Sequence, residues 1–437
     1  MCPRYSVCYS IKRRWLQRLI VPRSTEQWDY LQYNKPVSSC RRKSTSTMRQ
    51  QKIFFIFILL IAVTICFVKC IQQSSGSDPR GQLYAGADAC LQCHKNIADS
   101  YIHTSHNKTS APVFFDSIRT ALINTKTMVN YPNGHTVKLE EERRNILQSQ
   151  FEGDKKILSE KMEMVFGSGE KARTFGYWKD EQLFQLPLTY LTNLHLWTNS
   201  PGFPIDHPYY TRPIISRCFE CHSSYVYHYN ENTKPLEITE KFKPNTIVYG
   251  IDCERCHGPA KKHVDFHREN PAEKKATYIA DIKSLSRIQQ SDLCGTCHSG
   301  NPVSLKSIFA FTPGDSLKNY YMYYPGSFIN PDVHGMQMQL LQQSACYKQS
   351  TLTCLTCHNP HKAENKTQQT ITASCISCHN TSLHNTQMIQ EKKNCITCHM
   401  PLRTSRSLDF NNSTENKNIP YKLRTHRIAI YPENEWE

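Results

Sequence analysis

The chain has 437 residues, 39% of them hydrophobic, with a negative mean hydropathy, so it is lean in apolar side chains for its length. Its formal net charge is +16, which would suit a nucleic-acid or membrane partner, but the charge is not where such a partner needs it. Residues 1–47 carry +8, residues 48–70 carry +3, and the remaining 367 residues only +5, which excludes a basic nucleic-acid-binding face on the main body.

The predicted elements begin with an N-terminal segment that looks unlike a domain. Ile53 to Val68 is a 16-residue apolar run preceded by Arg49 and Lys52. It is slightly long for a signal-peptide core and short for a spanning helix. Met48 begins a conventional leader, so residues 1–47 are expected to lie upstream of the true start. Residues 48–70 are then a signal peptide or membrane anchor. Cys66 and Cys70 stand where a lipid-bearing cysteine would, although Ile65 and Lys69 precede them where a small residue is usual. Lipidation, an uncleaved anchor and simple cleavage all stay open. Residues 71–83, with the run Gln72 to Pro79, read as a flexible tether.

From residue 84 the pattern is set by cysteine. Seven times the chain reads C-x-x-C-H: Cys90/Cys93/His94, Cys218/Cys221/His222, Cys253/Cys256/His257, Cys294/Cys297/His298, Cys354/Cys357/His358, Cys375/Cys378/His379 and Cys395/Cys398/His399. This is the attachment signal for c-type haem. Two cysteines three apart reach the two vinyl groups of one porphyrin, and the following His is held under the iron as proximal ligand. The motifs use 14 of the 20 cysteines. Zinc sites need clustered Cys and His but not a His directly after every second Cys. The expected cofactor is therefore seven haem c, at about 52 residues per haem over residues 71–437. Such a chain buries too little to fold well without them.

A gap of 123 residues separates the first motif from the second, and six motifs then follow within residues 218–399. Inside the gap, about residues 130–191, the reading is strand-like. Met162, Met164 and Phe166 alternate with Lys161, Glu163 and Val165, and Gly167-Ser-Gly169 breaks the run. The aromatic stretch Arg173 to Leu186 contains a Lys179-Asp180-Glu181 turn. Pro201 to Pro213, with four prolines, reads as an extended connector. From Cys218 onward short helices and loops are expected, with the motifs on helix ends, and Arg403 to Glu437 reads as a wrapping loop. The expected fold class is mainly α, short helices and loops wrapped around haems, with a small antiparallel β insertion between haem 1 and haem 2. Motif spacings are too irregular for a solenoid.

What fills the second axial position of each iron separates electron transfer from catalysis. Twelve histidines lie outside the motifs, enough for full bis-His ligation: His103, His106, His135, His195, His207, His228, His263, His267, His334, His361, His384 and His426. Met400, directly after His399, is badly placed for the same iron and reads as packing. Cys346 reads as a buried free thiol.

Four stretches resemble the multihaem cytochrome c-552/4 family, within the superfamily of hydroxylamine oxidoreductase and pentahaem nitrite reductase. They are Tyr84 to His106; Gly250 to His263, with Cys256-His257-Gly-Pro-Ala260; Leu352 to His361, with His358-Asn-Pro-His361; and Cys395 to Pro401 followed by Arg424-Thr-His426. The resemblance implies distal-ligand roles for His106, His263, His361 and His426. His334, in Asp332-Val-His-Gly-Met336, is a fifth candidate; His207 and His384 are the sixth and seventh. His103 and His267 stand three or four residues from better candidates and are read as solvent-facing or supporting residues.

The resulting expectation is an extracytoplasmic carrier of electrons, periplasmic or in the cell envelope, anchored at its N-terminus. Redox proteins or quinol-linked donors are its expected partners, and nucleic acid is not. The alternative is a catalytic oxidoreductase acting on a small nitrogen or sulfur oxyanion at one open haem. Against it, no C-x-x-C-K motif is present. Tyr225, Tyr227 and Tyr229 alternate as packing aromatics do.

Overall fold

The computed structural model describes residues 54–60, 78–123, 125–234, 237–363, 368–379 and 395–435. It divides into two units, residues 1–75 and 76–437. In the first, residues 54–60 are helical and solvent-exposed. The rest of the apolar run, with Cys66 and Cys70, lies outside the described residues. Among the described residues no helix is long and apolar enough to cross a membrane.

The second unit is not mainly α, which corrects the expected fold class. Its described residues hold nineteen strands in antiparallel sheets, and the longest helix has 12 residues. The strands between the first two motifs form no small insertion. They are β1 (Ser110–Pro112), β2 (Met128–Asn130), β3 (His135–Glu142), β4 (Asn145–Glu152), β5 (Lys155–Lys161), β6 (Met164–Phe166), β7 (Ala172–Lys179), β8 (Gln182–Gln185), β9 (Leu188–Leu191), β10 (Leu196–Asn199) and β11 (Arg212–Ile214). Four of them build the sheet β2-β3-β4-β5. The other seven build a second sheet, with the path β1-β6-β7-β8-β11 and β9 joining β7 to β10.

Hairpin chemistry explains this density of strands. Arg143 and Arg144 (φ 50° and 63°), between β3 and β4, and Asp180 and Glu181 (φ 49° and 62°), between β7 and β8, form two-residue turns with φ positive at both positions. That twist matches the flanking strands and pins their register. One core joins the two sheets: Val129, Val137, Ile146, Met162, Phe175, Leu186, Leu188 and Trp197 are almost fully buried together. A second core, with Met164, Phe166, Leu183, Ile214, Phe219 and Phe242, carries this sheet onto the helix of the second motif.

The C-terminal stretch also differs from the expected wrapping loop. Leu402–Asn412 and Lys417–Arg424 pair as a long antiparallel hairpin with an irregularity between Thr404 and Asp409. Its Asn, Ser and Thr content reads as loop, yet the ladder satisfies the backbone. Phe410, Ser405 and Asn412 turn inward. The hairpin docks on β10 through Thr198 Oγ1 to Asn411 O (2.7 Å) and Asn199 Nδ2 to Ser413 Oγ (2.7 Å).

The motifs sit on short helices: α1 (Ala87–Leu91) leading to α2 (Lys95–Tyr101), then α3 (Phe115–Ile123) in the sheet region, α4 (Ser216–His222), α5 (Cys253–His257), α6 (Lys261–Glu269), α7 (Arg287–His298), α8 (Gln337–Gln342), α9 (Ala345–Gln349), α10 (Cys354–Cys357), α11 (Gln368–Ile376) and α12 (Cys395–His399). One helical turn puts residues i and i+3 on the same face, with i+4 beside them. Two thiols and an imidazole therefore face one side. Caps fix where these turns begin. The Asp252 carboxylate accepts from Arg255 N at the start of α5, and Ser286 and Gln289 form a reciprocal capping box at α7.

Candidate haem-attachment sites

The arrangement of the histidines is the central observation. Four motif histidines each face a histidine from outside the motifs. The ring centres of His94 and His263 lie 6.4 Å apart, those of His106 and His298 6.1 Å, His257 and His361 5.9 Å, and His358 and His426 6.1 Å. The His257 and His361 rings are near parallel, 7° between planes, and the His94 and His263 rings 14°. These separations are too wide for direct ring stacking. They match two imidazoles on opposite sides of one metal, where nitrogen bonds of about 2 Å each put ring centres about 6 Å apart.

The supporting hydrogen bonds point the same way. A ligating imidazole usually donates its other ring N–H to a carbonyl, which fixes the ring and frees Nε2 for the metal. His257 Nδ1 lies 3.2 Å from Ala280 O, His263 Nδ1 2.8 Å from Thr277 O, and His399 Nδ1 2.9 Å from Ala429 O. His298 Nδ1 lies 3.3 Å from Gln337 Oε1. Burial, together with neighbouring imidazoles, lowers the pKa of His94 and His361, favouring the neutral form that binds metal. Among the described residues, no three His, Cys, Asp or Glu converge as a bare-ion site. Each pair would supply two imidazole nitrogens to one metal and no further protein ligand, so the residues present fit haem.

The pairs also link the motifs. His263 lies on α6, directly after the third motif, and faces the first. His106 follows the first motif and faces the fourth. His361 follows the fifth and faces the third, and His426 follows the seventh and faces the fifth. Thiols of different motifs meet too: Cys90 with Cys253, Cys221 with Cys297, Cys294 with Cys354, and Cys375 with Cys395. The Cys294 contact holds the Cys354 thiol down to about 7 against burial, which raises it. Burial pushes Cys256 up to about 12. Neighbouring attachment sites are therefore in contact through their own motif residues.

The seven motifs are not equally enclosed. None of their fourteen cysteines is in a disulfide, which leaves each available for a thioether bond. Most are half-buried, including Cys218, Cys357 and, on α12 of the seventh motif, Cys398. Cys93 of the first motif is exposed. The first and sixth motifs depart furthest from the enclosed setting expected of a haem site, and in the first His94 is exposed together with Cys93. In the sixth, Cys378 is exposed, its Sγ 3.8 Å from Ser377 Oγ, and His379 is exposed as well. The attachment turn itself is formed, with His379 N donating to Cys375 O (2.9 Å). Among the described residues no imidazole ring faces His379. The reason is position. Cys375, on α11, meets Cys395 of α12, whereas Cys378 and His379 lie beyond the end of α11 on the solvent side. Residues 380–394, which follow them, lie outside the described residues.

A buried ionic knot holds the first and third motifs together. Arg80, its side chain 4% exposed, donates to both carboxylate oxygens of Asp78 (2.9 Å each), to both of Asp252 (3.0 and 2.7 Å) and to Glu254 Oε2 (3.1 Å). Glu254 also accepts from the backbone N–H groups of Ala85, Gly86 and Ala260. Asp78 and Arg80 fall in the stretch read as tether, and sequence reasoning missed their role. A signal was available: Cys253-Glu-Arg-Cys256 carries two charged residues inside a motif.

Of the remaining candidates, His334 is exposed, directly after the buried Asp332 and Val333. Its backbone N–H donates to Asp332 Oδ1, and its ring is within electrostatic reach of His222 and His298. His207 lies on an exposed loop beside Asp206 (2.8 Å), and no described ring contact joins it to a motif histidine. His384 lies outside the described residues. His103 is exposed, and His267 packs 4.6 Å from His263, ring centre to ring centre. His135, His195 and His228 belong to strand regions, partnered by Gln150, Tyr190 and Glu240. Cys346 is half-buried, near Cys357 and Cys375. Tyr225 packs on Phe309, and Tyr229 donates to Glu181.

With seven attachment signals and four facing imidazole pairs, the protein is a multihaem c-type cytochrome. A family model described as cytochrome c554 and c-prime matches residues 208–258, the segment holding the second and third motifs. The solved structure of the outer cell wall cytochrome OcwA is similar to this chain at 18% identity and a TM-score of 0.48, covering 79% of this chain and 80% of that one. No curated protein matches. The cofactor these features define is haem c.

Proposed function

We propose that the chain carries electrons along seven covalently bound haems, most of them closed by two histidines. The four facing histidine pairs carry this reading, because an iron held on both sides keeps its electron chemistry and loses its binding position. When bound, each haem supplies a one-electron couple. The chain's residues do the rest. Cys pairs would fix each ring covalently, motif histidines with His263, His361, His106 and His426 would hold the irons, and carbonyls such as Ala280 O orient the imidazoles. His334 is the candidate for the second motif. Cysteine contacts join the first motif to the third, the second to the fourth, the fourth to the fifth and the sixth to the seventh, and the histidine pairs join these groups to one another, which supports a continuous path. The exposure of Cys93 and His94 in the first motif, and of Cys378 and His379 in the sixth, makes these two motifs the most solvent-accessible points of that path.

The site of action in this reading is outside the cytoplasm, in the periplasm or cell envelope, with the N-terminal segment as anchor. Redox proteins or quinol-linked donors would supply the electrons. The test is haem content of the matured protein, by pyridine haemochrome and intact mass. Seven per chain is expected, and six or fewer contradicts the reading.

A further inference from the structure

We propose that Arg255 binds a haem propionate where the second, third and fourth motifs meet, and that its charge raises the reduction potential there. The inference rests on the haem reading above and adds to it a residue outside the ligand set.

Three motifs converge on the backbone of Glu220, inside the second motif. Arg255, inside the third, donates from Nη2 to Glu220 O (3.1 Å), and Cys297 Sγ, of the fourth, lies 3.7 Å from the same oxygen. Cys221 and Cys297 hydrogen-bond each other. Arg255 is 91% buried, its relative exposure being 9%. Its Nη1 donates to Ile308 O (2.8 Å), so the bonds made by the two terminal nitrogens both go to neutral carbonyls. Its Nε is fully buried with no hydrogen-bond partner among the described residues.

The nearby carboxylates are already committed. Glu220 Oε2 accepts from Arg217 (3.1 Å), and Oε1 from Ser307 Oγ and Ile308 N (2.9 and 3.0 Å). Asp252 and Glu254 are tied to Arg80. A buried cation whose Nε–H is unpartnered and which has no paired carboxylate is costly unless an anion meets it. In a haem-bearing junction the anion at hand is the propionate carboxylate. Arginine suits this role because its guanidinium keeps its charge and presents donors in a rigid fork. A fixed positive charge favours the reduced haem, which is one unit more negative.

The test compares wild type, Arg255→Gln and Arg255→Lys as full-length holoproteins by spectropotentiometric titration. Haem content by pyridine haemochrome is measured in parallel, so a failure of the haem reading shows as a changed count. Arg255→Gln is expected to shift at least one couple downward by a factor of ten in its equilibrium, about 59 mV for one electron. Arg255→Lys restores most of it. Unchanged couples in a fully loaded Arg255→Gln protein overturn the proposal. Should that variant fail to load, a structure of the wild-type holoprotein decides. Nε within hydrogen-bond distance of a propionate oxygen supports the assignment, and Nε bonded to water or a protein carbonyl overturns it.

Discussion

Replacing Arg80 by Met tests whether the buried knot holds the first and third attachment motifs together. The substitution keeps an unbranched apolar stem and removes the guanidinium with its charge. It leaves Asp78, Asp252 and Glu254, with side chains only 8%, 6% and 1% exposed, without their common cation. Breaking a buried ion pair in this way costs about 3–5 kcal/mol. At about 1.4 kcal/mol per decade that is on the order of a hundredfold to several-thousandfold in local opening. The readout is hydrogen exchange of the holoprotein over residues 81–91, where the Ala85 and Gly86 amides donate to Glu254. Protection there should fall by that factor at pH 7, while β3 and β4 are unaffected. The pH dependence has a definite sign. In the wild type, burial raises the Asp78 pKa, but hydrogen bonds from Arg80 outweigh it and hold the pKa below its usual value. The stability Asp78 contributes is therefore present above about pH 4 and lost as pH falls through the folded value. In Arg80→Met the unpaired carboxylates are raised instead, so the defect is greatest at neutral pH and shrinks on acidification. Unchanged exchange at pH 7, or a defect that grows in acid, refutes the reasoning.

Other consequences concern the histidine pairs and the two halves of the fold. His361→Ala should convert one haem, that of the third motif, to high spin while covalent content stays the same, seen by magnetic circular dichroism; His207→Ala should change nothing. An unaltered spectrum in His361→Ala would mean another residue faces His257. Haem-free chain, produced without the attachment machinery, should keep exchange protection in β3, β4, β7 and β9, whose core contains no motif residue. Residues 253–269, the third motif and α6, should lose theirs, because none of them belongs to a buried apolar cluster of the described residues. Equal protection in both regions would show that the second part folds without its cofactor.

The seven attachment turns were legible in the sequence because their chemistry is local: two thiols and an imidazole within five residues need no tertiary information. How deeply each turn is enclosed was not legible, since the exposure of Cys378 and His379 depends on where α11 ends against α12. The sheet content was under-read for a related reason. Alternation at Met162, Met164 and Phe166 is visible, but β1, β10 and β11 are three or four residues long and take their conformation from their partner strands. The C-terminal hairpin escaped notice because its inward positions are held by Ser405 and Asn412 as well as Phe410, so no apolar alternation marks it. The residues that face one another across each site were suggested by family resemblance, but not which motif each serves. That pairing joins residues as distant as His106 and His298, and only the fold brings them together. Arg80 and Arg255 carried no periodic signal at all, and their roles come from burial and from which carboxylates are already occupied.

Low-temperature electron paramagnetic resonance of the oxidised holoprotein tests the central claim most directly. Closed bis-His irons predict low-spin ferric signals accounting for nearly all the haem, including the four sites of His94, His257, His298 and His358. A high-spin signal equal to one haem or more per chain, assigned to any of those four by the matching histidine variant, contradicts the account and would revive catalysis at an open iron.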